Sequence, residues 1–200
     1  MFAEWWNQEG THKVYDEDKG EYTKYATEED KKFGETLRNS GEEGQRQFDA
    51  LTKSDAKIKV DFKDGVSSQL PGELGHLFIE KTKTDSNGKI ILTEATLEIY
   101  QQGIADTHSE IMAGNLTSEK YDLTTQKEAN IKTIKDNNLG PFDLAVAILG
   151  HEIGHTDNAN VQIRVDAKKN GGKEVKNLDS EWNPQAIEGR ILKELAKKRK

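Results

Sequence analysis

The sequence predicts an α+β fold: a small antiparallel or mixed sheet packed on one buried helix, with a further helix at the C-terminal end. Three observations predict it. Apolar and polar residues alternate from Ile58 to Phe62 and again from Ile91 to Ile99, as on half-buried strands. The pair Asn87-Gly88 stands just before the second of these runs, where a hairpin would turn. A continuous apolar run from Leu144 to Leu149 follows Pro141, a residue suited to a first helical turn because its missing N–H would be unpaired there anyway.

Taken in order, residues 1–56 mix polar residues with scattered aromatics and show no sustained period, so they read as an N-terminal connector or peripheral layer. Within them, Thr27 before Glu28-Glu29-Asp30 is a helix start, since a Thr cap and acidic residues satisfy free amides and the helix dipole. A second helix is expected from Glu42 to Leu51. Residues 57–200 read as the main domain. Its strands are Ile58 to Phe62, a segment near Leu77-Phe78-Ile79, and Lys89 to Tyr100. In the last, Ile91, Thr93, Ala95, Leu97 and Ile99 fall on one face. A helix from Glu94 is the competing reading, because Glu, Ala and Leu favour helices. A polar surface helix is expected from Glu119 to Ile134, then the buried helix from Pro141 through His155. An irregular stretch containing Asn170-Gly171-Gly172 follows, and a last helix is expected to be capped by Asn183 and opened by Pro184.

Composition narrows the function classes. The chain of 200 residues is 33% hydrophobic and 32% charged, with a formal charge of -7. No stretch interleaves basic and aromatic residues, so nucleic acid is not an expected partner. The one basic run, Lys197 to Lys200, reads as a solvated end. Cysteine is absent, which leaves His and carboxylates as the metal-binding residues. No apolar run approaches the roughly 20 residues that span a bilayer, and the start lacks the pattern of a signal peptide.

His151-Glu152-Ile153-Gly154-His155 matches H-E-x-x-H. At i and i+4 on a helix, two imidazoles project from one face and can grip one ion. Glu152 falls about 100° around from His151, a position from which it reaches a water on the metal and acts as general base. Burying two imidazoles and a carboxylate on adjacent turns would be costly without a cation. The pattern points to one zinc ion and metal-assisted hydrolysis of a protein or peptide amide.

Catalytic zinc keeps three protein ligands and one water. No His follows His155, so the third ligand is sought among Asp157, Asp166, Glu174, Asp179, Glu181, Glu188 and Glu194. On the last helix Ile187, Ile191, Leu192 and Leu195 define the apolar face, and Glu188 falls near its centre, with Glu194 at its edge. Glu188 is therefore the favoured third ligand and Glu181 the alternative. Asp157 and Asn158 are placed to steady an imidazole N–H. Tyr100, Tyr121 and His108 are the candidate oxyanion donors, and Arg190 is expected to face solvent. Gly154 would let the metal helix approach a neighbour closely.

At His151 to Asp157, followed by Glu181-Trp182-Asn183-Pro184-Gln185-Ala186-Ile187-Glu188, the chain resembles the gluzincin class of metallopeptidases. More narrowly, it resembles the metallopeptidase toxin domains at the C-termini of Rhs/YD-repeat polymorphic toxins. Asp30 to Gly34 and Gln47 to Leu51 are similar to segments that join such a repeat core to its tip. The resemblance implies a zincin-like α+β fold in which an edge strand, here Thr96 to Tyr100, pairs with the substrate backbone. It implies His151, His155 and Glu188 as zinc ligands and Glu152 as base. It also implies delivery into a target cell as part of a larger secreted protein, with a cognate immunity protein as a possible partner. Gly189 departs from related patterns, in which Asn often follows the distal Glu. Two rivals would carry the same motif: a binding or delivery module with a structural zinc and no turnover, and a zinc amidase acting on a non-protein amide.

Overall fold

The computed structural model describes residues 4–53, 55–68, 72–117, 123–169 and 178–199, and within them all side chains except those of 167 and 178–182. The chain enters through β1 (Glu4–Trp6) and a small antiparallel ribbon of β2 (Tyr15–Asp16) and β3 (Glu21–Tyr22). Helix α1 (Glu28–Ser40) starts at Thr27 through a reciprocal cap. The Asp30 N–H donates to Thr27 Oγ1 at 3.0 Å and the Thr27 N–H donates to Asp30 Oδ2 at 2.8 Å. Helix α2 (Glu42–Lys53) follows at once.

The segment expected to be a connector contributes Trp5, Phe33, Leu37, Phe48 and Leu51 to the same buried cluster that holds Leu97, Leu149 and Ile191. Its aromatics lack a period because they meet each other rather than one helix face. Trp5 and Tyr22, and Tyr15 and Phe48, pack edge to face with centroids 6.1 and 5.1 Å apart. Both segments that resemble a joining region lie inside α1 and α2, where Phe33 and Phe48 are buried.

The main sheet adds β4 (Lys57–Lys63), β5 (Gly75–Thr84) and β6 (Ile90–Tyr100), in the order β1-β4-β6-β5. β1 runs parallel to β4 and β4 to β6, while β5 is antiparallel to β6, so the sheet is mixed. The hairpin forms where Asn87-Gly88 predicts it, by a longer route than a two-residue turn. The Gly88 N–H donates to Asp85 O at 3.1 Å, Gly88 takes φ +80°, and Asp85 Oδ1 accepts from the Asn87 and Lys89 amides, each at 2.9 Å. Only Gly88 needs the left-handed region, as in a three-residue loop.

Two strand expectations are corrected. Register shifts at Ile79/Lys81 and Lys81/Thr82 break the alternation of β6, so Ala95, Leu97 and Ile99 face the core beside Ile90 and Leu92, whereas Ile91 and Thr93 do not. Thr96 to Tyr100 is not an edge, because β6 is bonded on both sides; among the described residues β5 is the edge beside it. Pattern shows which residues alternate but not which strands flank them.

Among the described residues, five helices complete the fold. α3 (Gln101–Ala113), which no pattern marked, continues directly from β6, buries Ile104 and Ile111, and ends at Gly114 with φ +78°. α4 (Thr125–Asp136) is less of a surface helix than its polarity suggests, since Asn130 and Ile134 are buried. α5 (Pro141–Gly154) opens with Pro141, and the Gly140 N–H donates to Asp143 Oδ2 at 2.7 Å. Every residue of α5 from Asp143 to Gly154 is buried. α6 (Asn158–Lys169) replaces part of the expected irregular stretch. α7 (Leu178–Lys198) starts before Asn183, so Pro184 lies inside the helix rather than opening it.

α7 packs along α5 where α5 lacks side chains. A Cβ at Gly154 would stand 2.6 Å from Ile187 Cδ1, and one at Gly150 would collide with Ile191. The pairings Gly150 with Ile191 and Gly154 with Ile187 make the two helices antiparallel. Arg190 is exposed, as expected, and also donates to Glu43 Oε2 at 2.6 Å. Burial pushes Glu43 up, but its hydrogen bonds from Gln47, Arg46 and Arg190 outweigh that and hold the carboxyl below its usual range. The basic end is also engaged: Arg199 pairs with Asp143 and donates to Asn138 O at 3.0 Å. Among the described residues no helix is long and apolar enough to cross a membrane.

Candidate metal centre

α5 carries His151, Glu152 and His155 into the interior, where they are 9%, 5% and 1% exposed. The imidazole centroids are 4.9 Å apart with planes 69° apart, yet the two Nε2 atoms are only 3.2 Å apart, so the rings converge at their tips. Two nitrogens bound tetrahedrally to one zinc at ~2.05 Å stand about 3.3 Å apart, and the observed spacing fits that. Without an ion, one ring must donate its Nε2–H to the other; with one, both lone pairs share a centre. Glu152 Oε1 lies 4.0 Å from His151 Nε2. One ligand atom from each of the three residues lies within 4.8 Å of the others, a grouping compatible with a metal ion.

Glu188 stands outside that group and approaches from behind. Its Oε2 is 3.4 Å from His151 Nδ1, and its Oε1 accepts from Asn130 Nδ2 at 3.0 Å. Gln126 Nε2 in turn donates to Asn130 Oδ1 at 2.8 Å. A chain of polar contacts thus runs from α4 through α7 to the imidazole. Gly189 is what admits it, since a Cβ there would lie 2.5 Å from both Asn130 Oδ1 and Gln126 Nε2.

The remaining candidates are engaged elsewhere or undescribed. Asp157 Oδ1 accepts the Ala159 N–H at 2.9 Å, which makes it the cap of α6. Asp166 accepts from Gln162 at 2.8 Å, and Glu194 accepts the Glu43 and Gly44 amides at 3.0 and 3.3 Å, capping α2. His108 Nε2 contacts Leu139 O at 2.7 Å, and Tyr100 donates its hydroxyl to Glu98. Burial and that bond push the Tyr100 phenol up to about 12. Glu174 and Tyr121, and the side chains of Asp179 and Glu181, lie outside the described residues.

Gly75, at the start of β5, has a place in this site that the sequence pattern did not single out. A Cβ there would stand 2.8 Å from Glu152 Cγ, 3.0 Å from Ile148 Cγ2 and 3.1 Å from Glu152 Oε1. Glycine inside a strand marks close approach, and here it leaves room for the carboxylate. For any hydrolysis that uses Glu152 as base, Gly75→Ala is expected to displace Glu152 and lower kcat by about 10²-fold without changing the metal content of the site. Kinetics beside elemental analysis would check this, and an unaltered kcat would remove Gly75 from the account.

Set against protein-family models, curated proteins and solved structures, the chain matches none of them.

Proposed function

We propose that the chain is a zinc-dependent peptidase of zincin-like fold, with His151 and His155 as metal ligands and Glu152 as general base. The observation that carries this reading is the convergence of two buried Nε2 atoms to 3.2 Å beside a carboxylate 4.0 Å from one of them. Zinc bound there supplies Lewis-acid polarisation of a carbonyl and of a water molecule. Glu152 takes the proton released by the attacking water and passes it to the leaving nitrogen as the C–N bond breaks. Glu188, steadied by Asn130, stands 3.4 Å from His151 Nδ1, near enough for a small shift to make the carboxylate–imidazole hydrogen bond that orients metal-binding histidines.

Two readings of the third ligand follow. As ligand, Glu188 would have to leave Nδ1 and reach the Nε2 side. The 3.4 Å contact to Nδ1 favours the second, in which Glu188 orients His151 and Glu181 coordinates. Glu181 precedes Glu188 by seven residues in the sequence, and its side chain lies outside the described residues.

The purified chain is expected to contain one zinc per molecule by elemental analysis and to cleave casein, with both lost on dialysis against a chelator and restored by zinc. A metal-free chain that cleaves equally well would end the proposal. Zinc without cleavage of casein would favour the non-catalytic module, and hydrolysis of peptidoglycan alone would favour the amidase.

A further inference from the structure

In an antiparallel pair, alternate residues of an edge strand bond to the partner while the others turn N–H and C=O outward. The Tyr100 N–H donates to Leu74 O at 2.9 Å, which makes Leu74 and Tyr100 a bonded pair. The register Gly75↔Ile99, Leu77↔Leu97 and Ile79↔Ala95 then turns the backbone groups of Gly75, Leu77 and Ile79 away from β6. These are the groups to which an added extended chain would bond. At Gly75 this edge lies against Glu152.

Two residues further on, the edge is occupied by the protein itself. Arg164 of α6 donates from Nη1 to Leu77 O at 3.2 Å. α6 does not depend on this bond for its place. Asn160 Nδ2 donates to Gly154 O at 3.2 Å, Gln162 Oε1 accepts the Ile90 N–H at 3.2 Å, and Val161 is fully buried. A guanidinium has five donors in a fixed fork, so it replaces a backbone amide at a strand carbonyl without needing a strand of its own.

We propose that Arg164 is an edge cap, standing where the amide of an extended polypeptide would bond to Leu77 and competing with substrate at the candidate site. The proposal rests on the peptidase reading for its meaning as a control of activity. Substrate must exchange a charge-assisted bond for a neutral one, so the cap raises KM and leaves the chemistry at Glu152 untouched.

The test is made in a Glu152→Gln background, where binding is read without turnover. Fluorescein-labelled casein, an unfolded polypeptide, is titrated by anisotropy against Glu152→Gln alone and with Arg164→Met, which keeps the apolar stem and removes the donors. The Kd is expected to fall about tenfold, with Arg164→Ala changing it in the same direction. A residue that only fastens α6 would lower the thermal midpoint and leave Kd where it was. Equal affinities, or no binding by any variant, overturn the cap. Cleavage of casein by the parent chain alongside equal affinities overturns the cap while leaving the peptidase reading in place. Tighter binding in a chain whose parent cleaves nothing supports the cap and removes the peptidase reading.

Discussion

Replacement of Glu152 by Gln is expected to leave zinc content and fold intact and to lower kcat by about 10²–10⁴-fold, the range for loss of a general base. The substitution keeps the volume that Gly75 leaves for this side chain, so no cavity or clash accompanies it. It removes only the ability to accept a proton. Since Glu152 is 5% exposed, losing a buried negative charge does not by itself unfold the chain. A variant with parental kcat would show that the carboxylate is not the base. Expression in a bacterial cytoplasm extends the test, because growth arrest that depends on Glu152 is the outcome expected of an effector tip.

The second large effect separates two carboxylates on one helix. Glu181→Ala is expected to abolish stoichiometric zinc binding, because it removes a charged ligand from a three-residue set. Glu188→Ala is expected to weaken zinc by about 10–100-fold, the usual cost of losing a group that orients a metal-bound imidazole, and to recover full stoichiometry when zinc is saturating. Glu188→Gln should lie closer to the parent, since it keeps the side-chain volume and an oxygen that can stand near His151 Nδ1. Competition with a chromophoric chelator measures all three. If Glu188→Ala stays empty at saturating zinc while Glu181→Ala fills, the assignments exchange, and Glu188 must leave the Nδ1 contact it makes here.

Much of this protein is legible locally. The spacing of His151 and His155, the start of α5 at Pro141, the Thr27 cap and the turn at Gly88 depend on residues within one or two turns of each other. Their geometry is settled by backbone chemistry that needs no distant partner. Charged residues were harder to place, because a carboxylate has several uses. Glu194, Asp157 and Glu188 are all acids near the C-terminal half, yet one caps α2, one caps α6 and one meets an imidazole. Helical periodicity put Glu188 on the buried face correctly but could not say which nitrogen of His151 it meets.

The sequence alone determined that two imidazoles share one face of an apolar helix, with a carboxylate about 100° around from the first, because i, i+4 spacing converts directly into direction. Tertiary structure alone decided that β5 rather than β6 is the strand edge beside them, and that residues 4–53 complete their core. It alone placed Gly75 and Arg164 at opposite ends of a short stretch of that edge. Strand order and close approach are set by contacts between residues far apart in the chain, and no local period records them.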